Sequence, residues 1–127
     1  MTRVVLDASA LLAFLHDEPG GQQVSTILEG AGVLSVNWSE VLQKSLQRDV
    51  DIDGMQHEFA EIGVRFEPFT PEQAEIAARL FTLTRSHGLS FADRACLALA
   101  LDKQLPVMTA DRAWGTLGLE VGIQLIR

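Results

Sequence analysis

The chain has 127 residues, of which 47% are hydrophobic and 21% charged, values typical of a folded globular protein and incompatible with wholesale disorder. Ten Lys and Arg against 17 Asp and Glu give a formal net charge of −7, which argues against a domain that grips nucleic acid mainly through a basic surface. An enzyme that carries a cation and meets nucleic acid only locally is still compatible with this charge. The length predicts a single domain over residues 1–127.

Nothing in the sequence indicates secretion or insertion into a membrane. No apolar run reaches the roughly 18 residues that a membrane-spanning helix needs. Asp7 interrupts the apolar run that follows Arg3, so no signal peptide is predicted. The only cysteine, Cys96, can form no internal disulfide. We therefore expect a cytoplasmic protein with no membrane partner.

Short apolar runs alternate with longer stretches of helical periodicity along the whole chain. In chain order the predicted elements are strand 4–6, helix 8–16, helix 22–29, strand 33–35, helix 38–48, helix 53–62, strand 64–66, helix 71–87, helix 91–103, strand 106–109, short helix 111–117 and strand 122–126. The helix over 91–103 is apolar on every side, which is typical of a helix buried in the middle of a domain. The alternation predicts an α/β fold with a central, mainly parallel sheet of four to five short strands flanked by helices.

Four acidic residues interrupt apolar sequence at comparable places. Asp7 ends the first strand, and Asp111 comes just after the fourth. Glu40 is predicted in the first turn of the helix after the second strand, and Asp93 in the first turn of the all-apolar helix. Because the carboxyl ends of parallel strands lie along one edge of a sheet, we expect these carboxylates to converge there.

Each acid also has a purely structural interpretation. Asp7 and Asp111 are suited to cap a helix N-terminus, and the pairs Asn37/Glu40 and Ser90/Asp93 have the spacing of a capping box. Capping alone does not explain why all four fall at one edge of the predicted sheet. Two unit charges at 4 Å repel by about 4 kcal/mol at an effective dielectric near 20, so clustered carboxylates call for a cation.

The donor atoms available at this edge favour a hard divalent cation. Carboxylate oxygens suit Mg²⁺ or Mn²⁺, whereas zinc would call for a Cys or His cluster that the sequence does not contain. The sequence thus predicts a magnesium or manganese site formed by the four acids.

Four short motifs in order resemble those of the PIN domain family. They are Asp7-x-Ser9 after a strand, Asn37-x-x-Glu40, Phe91-x-Asp93 opening an Ala/Leu-rich helix, and Thr109-x-Asp111. Their order and the length of the chain look most like the ribonuclease toxins of bacterial and archaeal toxin–antitoxin pairs, which are VapC-like. The resemblance extends over essentially the whole chain.

The resemblance implies a three-layer α/β/α fold and a Mg²⁺- or Mn²⁺-dependent endoribonuclease. The residues matching the catalytic acids and metal ligands of the family are Asp7, Glu40, Asp93 and Asp111, and the hydroxyls assisting them are those of Ser9 and Thr109. Attack by water would leave a 5′-phosphate and a 3′-hydroxyl on the RNA. The partners implied are an RNA substrate, a cognate antitoxin protein and a second copy of the chain in a homodimer.

Several polar residues near the four acids have two interpretations. Asn37 is a further candidate for assisting the site or contacting substrate. Arg94 and Arg112 each follow a candidate ligand directly and would contact a substrate phosphate or pair with neighbouring acids. Lys44 and Arg48 would form either a track for RNA or an ordinary solvated helix face, which is the more common arrangement.

Two other classes of function compete with the nuclease. A receiver-like signalling domain is also α/β with an acidic pocket, but it needs adjacent acids after the first strand and a Lys after a later one. Leu6 precedes Asp7 here and Ala110 follows Thr109, so both features are missing. A non-catalytic PIN-fold binding module is the second alternative, and the complete set of four acids argues against it.

Overall fold

The strands and helices alternate as the sequence predicts. The computed structural model describes residues 1–127, which is every residue of the chain. Its elements in chain order are β1 (Val4–Leu6), α1 (Ala8–Leu15), α2 (Gly21–Ser25), β2 (Ala31–Leu34), α3 (Ser35–Gln47), α4 (Met55–Ile62), β3 (Arg65–Glu67), α5 (Pro71–Thr84), α6 (Phe91–Lys103), β4 (Val107–Thr109) and β5 (Ile123–Leu125). Short 3-10 helices cover Arg85–His87 and Arg112–Thr116. None of the helices combines the length and the apolar character needed to cross a membrane.

The sheet has five strands, all parallel, in the order β3-β2-β1-β4-β5. Strand β1 is central, with Val5 opposite Gly32 of β2 on one side and Val107 of β4 on the other. The carboxyl ends of β1 and β4 are therefore neighbours. This pairing brings the residues that follow the two strands, including Asp7 and Asp111, to the same edge of the sheet.

Helices cover both faces of the sheet and create two apolar cores. Successive residues of a strand point to opposite faces, so Leu6 joins the core formed with α1, α3 and α4, while Val5 joins the core formed with α5 and α6. In α6 every residue from Ala95 to Ala100 is buried, which confirms the buried position predicted for this helix. The three-layer α/β/α arrangement predicted from the sequence is confirmed.

The N-terminus of α6 is held by the capping box predicted from its sequence. The Ser90 hydroxyl accepts a hydrogen bond from the Asp93 amide at 3.1 Å, and the Asp93 carboxylate accepts one from the Ser90 amide at 3.0 Å. These two bonds begin the helix at Phe91, the residue predicted from the sequence.

The capping box predicted for Asn37 and Glu40 is wrong. Helix α3 begins at Ser35, directly after β2, with Leu34 as its N-cap and no side-chain capping bond. Glu40 consequently lies in the second turn and not, as predicted, in the first. The Asn37 side-chain amide instead donates to the carbonyl of Ala92 at 3.1 Å, which ties α3 to the start of α6.

Helix α2 is shorter than predicted. It ends at Ser25, although the apolar pattern suggested a helix as far as residue 29. The hydroxyls of Ser25 and Thr26 donate back to the carbonyls of Gln22 and Gln23 at 2.6 and 2.8 Å. Such local bonds compete with continuation of the helix, and the chain turns toward β2 instead.

Candidate active site

Asp7 lies at the centre of the candidate site. The residue is only 4% exposed, and its carboxylate caps α1. Oδ1 accepts hydrogen bonds from the Ala10 amide at 2.9 Å and the Ser9 hydroxyl at 2.7 Å, and Oδ2 accepts one from the Thr109 hydroxyl at 2.5 Å. A carboxylate has about four lone-pair positions. Three bonds therefore fix the orientation of Asp7 and leave one lone pair of Oδ2 for a further partner.

The Asp7 carboxylate lacks a positive partner. Burial raises the pKa of Asp7 from 3.8 to about 6, and the nearby Asp93 charge adds to this, although the bonds from Thr109, Ala10 and Ser9 act in the opposite direction. No Lys, Arg or His forms an ion pair with Asp7. The ionised form of Asp7 is therefore destabilised in the protein, and a bound cation would relieve that cost.

Two hydroxyls connect Asp7 to the end of β4. The Thr109 hydroxyl, besides donating to Asp7, accepts from the Asp111 amide at 3.0 Å. The Ser9 hydroxyl accepts from the Ala110 amide at 2.9 Å. One hydrogen-bond network thus joins Asp7, Ser9, Thr109 and the backbone of Asp111. The Asp111 carboxylate is exposed and accepts from the Ala113 amide at 3.0 Å, so the capping interpretation is confirmed for Asp111 as it is for Asp7.

Glu40 and Asp93 lie at the same end of the sheet as Asp7. Burial, followed by the charges of Asp7, Asp93 and Glu40, raises the pKa of the Cys96 thiol. The charges of all three acids thus reach the same buried thiol. Glu40 also lies 3.6 Å from the Lys44 ammonium group, which offsets part of its charge.

The donor atoms fit a hard divalent cation, although no three Asp, Glu, His or Cys side chains form a ready-made metal-binding group. The carboxylates of Asp93 and Asp111 cap their own helices. The Asn37 Oδ1 atom is buried and has no hydrogen-bond partner. This unpaired oxygen and the free lone pair of Asp7 are the kind of donor that Mg²⁺ or Mn²⁺ takes. The four-acid metal set itself stays a prediction.

Neither candidate arginine pairs with a neighbouring acid. Arg94 turns toward α5, where its guanidinium carbon lies 5.3 Å from the centroid of the Phe81 ring. Arg112 is exposed and forms no ion pair.

Sequence reasoning missed two other side chains beside the site, His16 and Arg127. His16 follows Ser9 by seven residues, which places both on one face of a helix. This spacing could have indicated His16.

If Asp7 binds a metal as the sequence predicts, Thr109→Val should lower activity about 10- to 100-fold without unfolding the protein, because loss of a bond that orients a metal ligand has an effect of this size. Valine preserves the shape of the side chain but cannot donate to Asp7. The measurement is the rate of RNA cleavage. Thr84→Val is a matched control, since this buried hydroxyl donates only to the Leu80 carbonyl within α5. Equal rates for the two variants would contradict the role of Thr109.

The PIN domain family model matches residues 4–118, so the chain belongs to the PIN domain family. No curated protein matches the sequence.

Solved structures share the fold at low sequence identity. A toxin–antitoxin complex from Klebsiella pneumoniae has 14% identity and a TM-score of 0.74, with 98% of each chain covered. A DNA-bound VapBC complex from Salmonella typhimurium has 11% identity and a TM-score of 0.75, with 100% of each chain covered. VapC20 of Mycobacterium tuberculosis, a toxin that cleaves the sarcin–ricin loop, has 16% identity and a TM-score of 0.69, with 94% of this chain and 98% of that chain covered.

Proposed function

We propose that this chain is a Mg²⁺- or Mn²⁺-dependent endoribonuclease that acts as a single domain on RNA in the cytoplasm. The observation that carries the proposal is the buried Asp7 carboxylate, which is held by Ser9 and Thr109 at the carboxyl edge of the sheet without a positive partner. The neighbouring acids and membership of the PIN domain family support it. The receiver-like and non-catalytic alternatives have no comparable observation in their favour.

We assign the role of metal ligand to four acidic residues, which are Asp7, Glu40, Asp93 and Asp111. A divalent cation bound by such oxygens lowers the pKa of water and stabilises negative charge on phosphoryl oxygens. Ser9 and Thr109 keep Asp7 in one orientation, so that its free Oδ2 lone pair faces a fixed direction. Asn37 bonds to the backbone beside Asp93 and in this way fixes the distance between α3 and α6.

The remaining polar groups act on the substrate and on protons. A carboxylate that is not fully engaged by the cation accepts a proton from the attacking water, and Glu40 and Asp93 are suited to this because both are only partly buried. Arg112 is exposed beside Asp111 and free to contact a phosphate of the RNA. Arg94 has a different role, since it stacks on Phe81.

The direct test is incubation of the purified protein with total RNA in Mg²⁺, in EDTA, and in EDTA followed by excess Mg²⁺ or Mn²⁺. We expect cleavage in Mg²⁺, none in EDTA, and recovery after the metal is restored. Cleavage of equal extent in EDTA would contradict the proposal. A protein that fails to cleave RNA under all conditions, and whose melting temperature is unchanged by Mg²⁺, would instead favour the non-catalytic binding module.

We further propose that the chain is the toxin of a toxin–antitoxin pair. The solved structures of similar fold include a toxin–antitoxin complex and a DNA-bound VapBC complex. An acidic protein with clustered carboxylates favours a partner segment that carries Arg or Lys. Expression of the chain alone in a bacterium should therefore arrest growth, and expression of Asp7→Asn should not. Equal growth of the two cultures would contradict the toxin assignment.

We expect a homodimer at micromolar concentration. The end of α5 and the start of α6 meet near Arg94 and carry three exposed apolar side chains. These are Phe81, Leu83 and Phe91, which are 50%, 64% and 53% exposed. Large apolar side chains exposed together are typical of an interaction surface. Static light scattering should give twice the mass of one chain. A single species of 13.9 kDa would contradict the expectation.

A further inference from the structure

A side pocket of about 250 Å³ opens directly beside the candidate site. Ser9, which bonds to Asp7, forms one end of it, and His16, Glu18, Lys44, Arg48 and Arg127 form much of the rest. Three of the ten Lys and Arg residues of the chain thus line one small cavity together with a single acid. Lys44 also pairs with Glu40 at 3.6 Å, so the pocket keeps only a small excess of positive charge in a protein of net charge −7.

Two of the basic residues follow the candidate ligand Glu40 along the chain. Lys44 on α3 and Arg48 at its C-cap come after Glu40 at intervals of four residues, which is about 6 Å per step of helix. This step is comparable to the distance between successive phosphates of a nucleic-acid strand. The pocket is also lined by Ser9 of α1 and by His16, the C-cap of that helix. The pocket therefore continues the candidate site along a direction that a strand can follow.

The two arginines of the pocket are held in place without being fully occupied. Arg48 Nη1 lies 3.9 Å and Arg127 Nη1 3.6 Å from the two carboxylate oxygens of Glu18. Arg127 Nη1 also donates to the Pro19 carbonyl at 2.9 Å. A guanidinium group has five N–H donors, so each arginine keeps several for another partner. Both side chains are partly exposed, and ion pairs of this kind are weak enough for an anion to compete.

His16 provides an independent sign of a missing partner. Its Nε2 atom is buried and has no hydrogen-bond partner within the protein. Burial and the Arg48 charge lower the pKa of His16, and Glu18 offsets part of that effect. The imidazole is therefore neutral near pH 7 and adds no charge to the pocket. The arginines and Lys44 are the residues that attract an anion to it.

We propose that this pocket binds the backbone phosphate of the RNA strand next to the phosphate that is cleaved. The proposal rests on the function proposed above, because it takes RNA as the ligand. Contact with phosphate carries no sequence information, so the pocket fixes the position of the strand and not the choice of bases. Arg48 and Arg127 are thus positioning residues for the substrate.

The test measures binding of a short fluorescein-labelled oligouridylate by fluorescence anisotropy in EDTA, over roughly 50 to 200 mM salt. The variant is Arg48→Gln/Arg127→Gln, which leaves every candidate metal ligand unchanged. The matched control is Arg79→Gln/Arg85→Gln. It removes the same charge as the pocket variant, from two exposed arginines of the α5 region. Each lost phosphate contact on a single strand reduces the slope of log K against log salt by about 0.7. Because the two arginines hold one phosphate, we expect the pocket variant to lose roughly 0.7 in slope and the control to keep the wild-type slope.

Three results would overturn the pocket: no binding by the wild type, an unchanged slope in the pocket variant, or an equal loss of slope in the control. The same protein tested for cleavage in Mg²⁺ separates this proposal from the proposed function. Binding with the expected slopes but without cleavage leaves the pocket intact and contradicts the nuclease. Cleavage by the wild type with unchanged slope in the pocket variant contradicts the pocket alone.

Discussion

Asp7→Asn should lower the rate of RNA cleavage by roughly a thousand-fold or more while the protein stays folded. A catalytic divalent cation stabilises the transition state by several kcal/mol, and each 1.36 kcal/mol corresponds to a factor of ten in rate. Asparagine preserves the size of Asp7 and can still accept from Ala10, but it carries no charge to hold the cation. The measurement is the initial cleavage rate of a labelled RNA in saturating Mg²⁺.

Asp17→Asn is the matched control for this loss. Asp17 is exposed just beyond the end of α1, and its positive φ of 54° is one that Asn also tolerates. This variant removes the same charge from the neighbourhood of α1 and should retain the wild-type rate. A wild-type rate in Asp7→Asn, or equal losses in the two variants, would contradict the role assigned to Asp7.

The second large effect is on stability. Without metal, the free energy of unfolding should fall by on the order of 3 kcal/mol as pH rises from about 3.8 to above 6, because of Asp7 alone. The pKa of Asp7 is 3.8 in the unfolded chain and about 6 in the folded protein, so between these values the folded state holds a proton that the unfolded state has lost. The contribution of Asp7 to stability is therefore fully present below pH 3.8 and is lost as the pH rises through about 6.

Urea denaturation in EDTA at pH values from 4 to 8 measures this dependence. Subtracting the wild type from Asp7→Asn removes the contributions of all other carboxylates. The variant should gain stability relative to the wild type by on the order of 3 kcal/mol over this range. Mg²⁺ at pH 7.5 should then stabilise the wild type and not the variant, because only the ionised Asp7 binds it. A difference between the two proteins that does not change with pH would show that burial of Asp7 has no energetic consequence.

The order of the elements, and the link between Asp7 and the end of β4, were predictable from the sequence. Helix α6 was predicted with its observed ends, because Ser90 and Asp93 form a recognisable cap and the helix is apolar on every side. The meeting of Asp7 with Thr109 and Asp111 followed from the rule that parallel strands end at one edge. These predictions depend on local patterns that the rest of the fold does not override.

Other features depend on contacts between distant parts of the chain and were not readable in advance. Helix α3 starts at Ser35 without any capping side chain, so no sequence signal marks its first turn. The spacing of Asn37 and Glu40 is that of a capping box, but α6 packs close enough for the Asn37 amide to bond to Ala92 instead. Arg94 follows a candidate ligand in sequence, yet it stacks on Phe81 of the adjacent helix. In each case the partner is set by packing between helices and not by sequence neighbours.

The chemical identity of the RNA ends tests the central claim most directly. No two of the three histidines form a pair at one site, since His57 bonds to Glu61 and His87 lies beside Thr116, so no acid–base pair is evident for cleavage through the 2′-hydroxyl. Fragments made in Mg²⁺ should carry a 5′-phosphate and a 3′-hydroxyl, and none should form in EDTA. Fragments with a 5′-hydroxyl and a 2′,3′-cyclic phosphate, formed equally well in EDTA, would contradict the assignment of Asp7 and its neighbours to a metal-dependent nuclease.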